Sequence, residues 1–381
     1  MISYWEQESF LAYDHIVVGA GITGLSTAIS LRSLFPQDRI LVLERSLFST
    51  GASSRNAGFA CTGSATELLD DLESMSEEEV KNLFLLRKTG LEKLRKRLGD
   101  QAIGYEASGS FELIRHAELP VLDKLDYLNQ LLYEVAGQEA FRIADKQIAS
   151  FGFSPSQVLH LIENTCEGAL HTGKMLRALT DYAIEQRIEI KTGAQVTRFD
   201  TENAGIITHI EDPFRKQTWQ FSSRTLSICT NAFTKHLLPE SIVNPGRGQV
   251  CITDPIPGLH WKGIFHFDKG YYYFREVDQR ILIGGGRNMD FEGETTEDFG
   301  LHEKIQQDLE DKLRSMIIPH TPIRIAQRWS GIMAFGDQKK PILQSFAPGV
   351  FGAFRMGGMG VALGTEIAQQ LAEKIYHYCQ S

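Results

Sequence analysis

The sequence predicts an α/β fold in two parts, a parallel sheet gathered from separated stretches of chain and an antiparallel sheet beside it. Three observations predict it. Residues 14–25 (DHIVVGAGITGL) are a buried apolar strand that ends in a G-x-G-x-x-G turn and opens a helix. A second glycine turn, Gly357-Gly358-Met359-Gly360, opens another helix near the far end of the chain. Between them, 244–252, 270–275 and 280–284 alternate apolar and polar residues, as antiparallel strands with one buried face do.

The first turn has the context that a dinucleotide needs. Gly19 permits the tight turn, Gly21 leaves room for a pyrophosphate against the backbone, and Gly24 lets helix and strand pack closely. The helix 22–32 then points its N-terminal N–H groups at the phosphates, so Ala20, Ile22 and Thr23 join the expected contacts. Residues 39–43 read as the next parallel strand. Glu44 stands at its end, 20 positions after Gly24, where an acid binds a ribose hydroxyl, and Arg45 follows.

The other elements follow in order. Residues 1–12 are a lead-in on the surface. Residues 49–58 form a small, polar loop, in which Ser53, Ser54, Asn56 and Ala57 offer donors and Arg55 a fixed cation suited to pyrophosphate. Helical spacing covers 76–98 and 119–136, with a strand at 110–114; this block reads as an insertion. Residues 151–170 read as irregular, 172–187 as a helix and 188–190 as a strand. A meander of 193–199 and 205–210 pairs with 219–221, and 224–232 returns as a central strand, with Thr230 and Asn231 near the cofactor. A helix at 295–316, strands at 323–329 and 350–354, and a helix at 361–378 complete the chain.

With 381 residues, 42% hydrophobic and 23% charged, the chain suits a soluble two-domain protein with a real core. A net charge of -9 argues against nucleic acid as a partner. The acidic runs 70–73 and 77–79 read as a solvated helix face. Five cysteines, scattered and never C-x-x-C, suggest reduced thiols in a cytoplasmic protein without a metal knuckle. No signal peptide is expected at the N-terminus, and no apolar run approaches the ~18 residues of a membrane span.

A helix dipole at the second glycine turn suits an acceptor that gains negative charge, as a reduced flavin does. On these features the chain resembles the D-amino-acid-oxidase family of FAD-dependent oxidoreductases, which includes glycine and sarcosine oxidases and γ-glutamylputrescine oxidase. The resemblance runs through 15–24, Glu44-Arg45, 51–58, 192–196, Arg247-Gly248-Gln249, Tyr273-Phe274-Arg275, 282–285 and 357–360. The Ser54-Arg55-Asn56 form of the second loop is most similar to the γ-glutamylputrescine oxidase branch. The resemblance implies a discontinuous Rossmann-type FAD-binding domain (13–78, 155–235 and 326–379) and an antiparallel-sheet substrate domain (79–154 and 236–325) that roofs the flavin. It implies that Glu44 binds adenosine ribose and that Val196 meets adenine through its backbone. Ser54, Arg55 and Asn56 would lie along the pyrophosphate and flavin. Gly358, Met359, Gly360, Val361 and Ala362 would face the isoalloxazine, with Gly331 in the cofactor set. Tyr271 matches the family's substrate tyrosine, four positions before Arg275.

The departures carry information as well. Sarcosine-oxidase-like members link the flavin through a Cys in the stretch that here reads 330–335; no Cys stands there, so FAD is expected to be non-covalent. Their carboxylate-binding Lys is replaced by Ala362, and the Arg of glycine and D-amino acid oxidases falls at Ile332 and Met333. The expected function is oxidation of the C–N bond of an amine, secondary amine or amino acid to an imine, by hydride transfer to flavin N5. The alternatives are a hydroxy-acid or glycerol-phosphate dehydrogenase of the same fold, with Arg247, Arg275, Arg287 and Arg328 as possible anion clamps, and a flavin-binding module without turnover.

Overall fold

The strand Ala12–Val18 is sealed on both faces, as a central parallel strand must be, and Ile16, Val17 and Val18 supply the apolar surface this requires. In the computed structural model, which describes residues 3–202, 205–212, 217–259 and 261–381, it runs parallel to Gln217–Ile228 on one side and to Ile40–Leu43 on the other. Glu189–Lys191 and Val350–Phe354 extend the sheet, again in parallel. Taken in chain order, the parallel strands lie third, second, first, fourth and fifth, which is the Rossmann order. Ile342–Ala347 closes one edge antiparallel. Gln217–Ile228 serves twice: its first half completes a meander with Gln195–Glu202 and Gly205–Asp212, and its second half enters the parallel sheet.

Helices Ile22–Leu34, Thr172–Glu185 and Gly360–Gln380 cover one face of this sheet in a shared apolar cluster. Glu77–Leu98 begins at a capping box formed by Ser76 and Glu79 and joins the same cluster through Leu83, Leu91 and Leu94. It meets the C-terminal helix at Gly90, where a Cβ would lie 1.9 Å from the carbonyl oxygen of Ala362.

The second sheet has eight strands in the order Ile325–Phe335, Asn244–Thr253, Arg280–Gly285, Tyr272–Val277, Ile264–Phe267, Ser110–Ile114, His160–Asn164 and Phe141–Ile143. All its pairs are antiparallel except Ile264–Phe267 with Ser110–Ile114. Phe111, Phe151, Phe153, Trp261, Phe265 and Phe274 pack on its outer face, with edge-to-face and stacked rings about 5–6 Å apart.

Several elements depart from expectation. The supposedly irregular 151–170 contains His160–Asn164, whose burial does not alternate and so left no period-2 signal. The expected helix 119–136 is α-helical only over Leu125–Ala136; before it, His116–Lys124 is a 3-10 helix containing Pro120, which lacks an N–H for the α ladder. The expected helix 295–316 begins only at Glu303 and widens into a π-helical turn, Leu313–Ile317. His160–Asn164 and Ile325–Phe335 hydrogen-bond into the second sheet, and Glu77–Leu98 packs on the cluster of the first. Pattern reports that a face is buried, not against what.

Gly90→Ala is expected to destabilise the protein by about 1–3 kcal/mol, because backbone on backbone cannot relax by a rotamer change. Urea unfolding of parent and variant checks this; equal midpoints would contradict the close crossing.

Candidate functional site

A cavity of about 570 Å³ lies where the carboxyl ends of the parallel strands (Val18, Leu43, Cys229) face the inner side of the second sheet (Val250, His266, Tyr273). At one end stands Glu44. Its carboxylate accepts from the N–H groups of Ala20 (3.1 Å) and Ser46 (3.0 Å), and its backbone carbonyl accepts from Ala194 (2.8 Å). These bonds fix an acid at the strand tip beside Val196 and Arg45, whose guanidinium lies 3.8 Å over the ring of Phe233.

The glycine turn behaves as its residues require. Gly19 has φ +103, and a Cβ there would lie 2.8 Å from the carbonyl oxygen of Cys229. A Cβ on Gly24 would lie 1.8 Å from the carbonyl oxygen of Gly19. A Cβ on Gly21 would meet Ser53 Oγ at 2.7 Å, the hydroxyl that accepts from Ile22 N–H.

In the middle, Arg55 donates from Nε to Thr50 O (2.8 Å) and from one terminal nitrogen to Ser330 O (2.9 Å), while Trp329 Nε1 donates to Arg55 O (3.0 Å). Asn56 turns its amide onto Ala52 O and Ser53 O and accepts from Gly58 N–H. Asn231, at φ +48, accepts from the N–H groups of Arg355 and Met356. All three line the cavity, yet these side-chain groups are engaged in holding the backbone.

At the far end, strand alternation separates three successive tyrosines. Tyr271 and Tyr273 line the cavity, and Tyr272 stacks on Phe267 in the outer core. Tyr271 is 38% exposed, with its ring edge on Phe291. Of the arginines considered as anion clamps, Arg247 is held by Glu294 (2.7 Å), Arg328 by Gln306 and Glu310, and Arg275 by the carbonyls of Gly58 (3.0 Å) and Leu170 (2.7 Å). Arg287 differs. Its guanidinium lines the cavity, lies 4.3 Å from the Phe335 ring and 5.0 Å from the Phe291 ring, and among the described residues has no carboxylate partner; its Nε is buried and unpaired.

The second glycine turn completes that end. Gly357 and Gly358 have φ +57 and +80, and the helix Gly360–Gln380 begins without a side-chain cap. Gly358, Met359, Gly360 and Val361 line the cavity with Gly331.

Among the other expected residues, Thr23, Ala57 and Thr230 also line the cavity, whereas Ala20, Gly24, Ser54 and Ala362 do not. Ala20 serves Glu44 through its N–H, Gly24 sits against Gly19, Ser54 bonds Gly51 O, and Ala362 faces Gly90. Sequence reasoning missed the wall formed by Phe59, Cys61, Glu67, His266 and Lys339. A histidine inside the apolar strand Ile264–Phe267 was the available signal.

Next to that wall, Glu167 accepts from the N–H groups of Thr62 (2.6 Å) and Gly63 (2.8 Å) and from Ser110 Oγ (2.6 Å), and lies 3.4 Å from His266 Nε2. Burial opposes its charge, but His266 and these donors outweigh burial and hold its pKa well below the ordinary value of 4.5. His266 responds in the opposite sense: burial disfavours its charge, yet Glu167 raises its pKa above 6.5.

A two-layer nucleotide site beneath an antiparallel roof defines a flavoprotein-type oxidoreductase. The chain belongs to the DAO family: the family model described as "FAD dependent oxidoreductase" matches residues 14–374. Among solved structures, the chain is similar to L-proline dehydrogenase from P. horikoshii (15% identity, TM-score 0.77, 96% of this chain and 93% of that one). It is also similar to glycine oxidase from Geobacillus kaustophilus (18%, 0.75, 97% and 95%) and to L-amino acid deaminase from Proteus vulgaris (17%, 0.72, 96% and 90%). At these identities the likeness shows the fold. No curated protein matches the chain by sequence. No helix among the described residues is long and apolar enough to cross a membrane.

The buried pair makes a pH-dependent contribution to stability. The Glu167 part is present above its unfolded value of 4.5 and lost as pH falls through the lower folded value. The His266 part is present below 6.5 and lost as pH rises through the higher folded value. Glu167→Gln is therefore expected to cost about 3–5 kcal/mol between those values, and progressively less at lower pH. Urea denaturation of parent and variant across pH measures it; a difference independent of pH would contradict the ionised pair.

Proposed function

We propose that this FAD-dependent oxidoreductase oxidises the C–N bond of a carboxylate-bearing amine, an amino acid or its N-substituted form, to the imine, which water hydrolyses. The observation that carries the reading is Arg287, a cavity-lining guanidinium between two aromatic rings that has no carboxylate partner among the described residues. A desolvated arginine favours a ligand carboxylate. It takes up the task expected of the Lys and Arg that Ala362, Ile332 and Met333 replace.

The residues present fit FAD. Glu44 and Val196 suit the adenosine end, and the first turn of Ile22–Leu34 with Ser53 suits the pyrophosphate. The uncapped start of Gly360–Gln380 suits a ring that gains negative charge, and a Cβ at Gly358 would project into the cavity toward Met333 Sδ, 3.5 Å away. FAD, when bound, supplies the two-electron acceptor. The chain's own residues orient the substrate: Arg287 holds the carboxylate, the Tyr271 hydroxyl bonds it from the rim, and Phe59 and Tyr273 exclude water. The similar structures named for proline, glycine and L-amino acids support an amine over a hydroxy acid.

Acid precipitation is expected to release FAD into the supernatant, since 330–335 contains no Cys. Gly21→Val is expected to abolish FAD retention by driving a side chain against Ser53 and into the phosphate path. FAD occupancy equal to the parent's would remove this turn from the site.

Anaerobic bleaching of the flavin by a panel of amines, amino acids and hydroxy acids tests the reaction. Arg287→Gln is expected to weaken carboxylate-bearing amines about 10–100-fold, with FAD content unchanged. Bleaching by hydroxy acids and by no amine would overturn the reading.

A further inference from the structure

Hydride leaves carbon only when the neighbouring nitrogen has a free lone pair, yet an aliphatic amine near pH 7 is an ammonium, with a pKa near the ~10 of lysine. Something must take that proton. One group at the cavity is arranged to do so, and this inference rests on the C–N reading above.

Ser110, Glu167 and His266 come from three separate segments and meet behind the cavity wall. Ser110 Oγ lies 2.6 Å from Glu167 Oε2 and 2.9 Å from His266 Nε2. The hydroxyl has one hydrogen. An ionised carboxylate only accepts, so that hydrogen goes to Glu167, and the hydroxyl lone pair must accept from Nε2–H of His266. A neutral His266 therefore carries its hydrogen on Nε2 and a lone pair on Nδ1. Nδ1 makes no hydrogen bond among the described residues, and the ring, 8% exposed, lines the cavity.

We propose that His266 is the catalytic base that accepts the proton of the substrate ammonium at Nδ1, with Glu167 as its positioning residue. An ammonium N–H bond breaks and its electron pair stays on nitrogen, while the proton passes to Nδ1. Two electrons then leave carbon as hydride for the FAD, and the lone pair forms the C=N bond of the product.

The surroundings favour this role. Glu167 cannot swing away, because Oε1 accepts from Thr62 N–H, Thr62 Oγ1 and Gly63 N–H. The other ionisable groups facing His266 are Glu112 on the neighbouring strand, Glu67 on the helix Ala65–Leu72 and the Cys61 thiol. Burial raises the pKa of Glu112 and keeps the thiol of Cys61 protonated, while Glu67 is paired with Arg87 (3.1 Å). Lys339 in the same wall also pairs with Glu67 (3.4 Å) and with Asp71, so with a neutral ring Glu167 is the carboxylate there without a cation partner among the described residues, which draws in an ammonium. The raised pKa of His266 brings its basicity toward that of the amine.

The test combines two measurements on the FAD-loaded protein. First, stopped-flow anaerobic reduction by an amine that bleaches the parent is followed across pH. His266→Gln is expected to lower the rate about 10²–10⁴-fold near pH 7, with recovery as pH approaches the ammonium's own pKa. Second, nitrogen NMR of ¹⁵N-histidine-labelled protein follows the ring itself. The His266 signal, assigned by its loss in His266→Gln, is expected to titrate above 6.5 and to move down in Glu167→Gln, with the acid limb of the rate moving alongside. Ser110→Ala, which deletes both the acceptor of Nε2–H and a donor to Glu167, should move the signal and the acid limb together. If His266→Gln keeps the parent's acid limb, the base is overturned while the C–N reading stands. If no amine reduces the parent at any pH, both fall. The ligand atoms of Cys61, Glu167 and His266 lie within 4.8 Å of one another, so stoichiometric metal in the purified protein would also overturn the base.

Discussion

Guanidinium-to-carbonyl bonds hold the antiparallel roof over the parallel sheet, and the cavity exists because they do. Arg55 joins its own loop to Ser330 O, Trp329 returns a bond to Arg55 O, and Arg275 gathers the carbonyls of Gly58 and Leu170. Chain turning between two sheets leaves carbonyls without ladder partners, and a planar, permanently charged five-donor group can satisfy several at once. Arg55 has no carboxylate partner among the described residues, so it sets a fixed positive charge beside a cavity suited to a cofactor that carries phosphates.

The two ends of the cavity differ in chemistry. At the Glu44 end, recognition relies on backbone and one acid, fixed by Ala20 and Ser46. At the Tyr271 end, aromatic rings isolate a cation, Arg287, from a carboxylate–imidazole pair, Glu167 and His266. Phe59 stands edge-on to both His266 and Tyr273. A substrate of the proposed kind, carrying both a carboxylate and an ammonium, would meet opposite charge at Arg287 and at Glu167.

Features that depend on backbone geometry were legible in the sequence. The turns at Gly19–Gly24 and Gly357–Gly360 appear as glycine because a Cβ would strike Gly19 O or because φ is positive. The parallel strands followed from apolar runs, whereas Phe141–Ile143, His160–Asn164, Ile264–Phe267 and Ile342–Ala347 were not expected. Side-chain assignments at the site were harder to read. Arg55, Asn56 and Asn231 were recognised as donors or acceptors near the cavity, but sequence does not show which groups already hold them. The setting of His266 was not legible because its partners, Ser110 and Glu167, lie 156 and 99 positions away and its strand Ile264–Phe267 has only four residues.

The helix Gly360–Gln380 lies against Ile22–Leu34, with a Cβ on Gly364 placed 2.8 Å from Ile22 Cγ2, and crosses Glu77–Leu98 at Gly90. During translation the ribosome therefore exposes the glycine turn at 19–24 long before the element that covers its helix has been made. At about 5–20 residues per second, that interval is roughly 20–70 s. Throughout it, the apolar faces of Ile22–Leu34 and Glu77–Leu98 await a helix not yet made. Packing behind the first glycine turn is accordingly completed late, once Gly360–Gln380 has been synthesised.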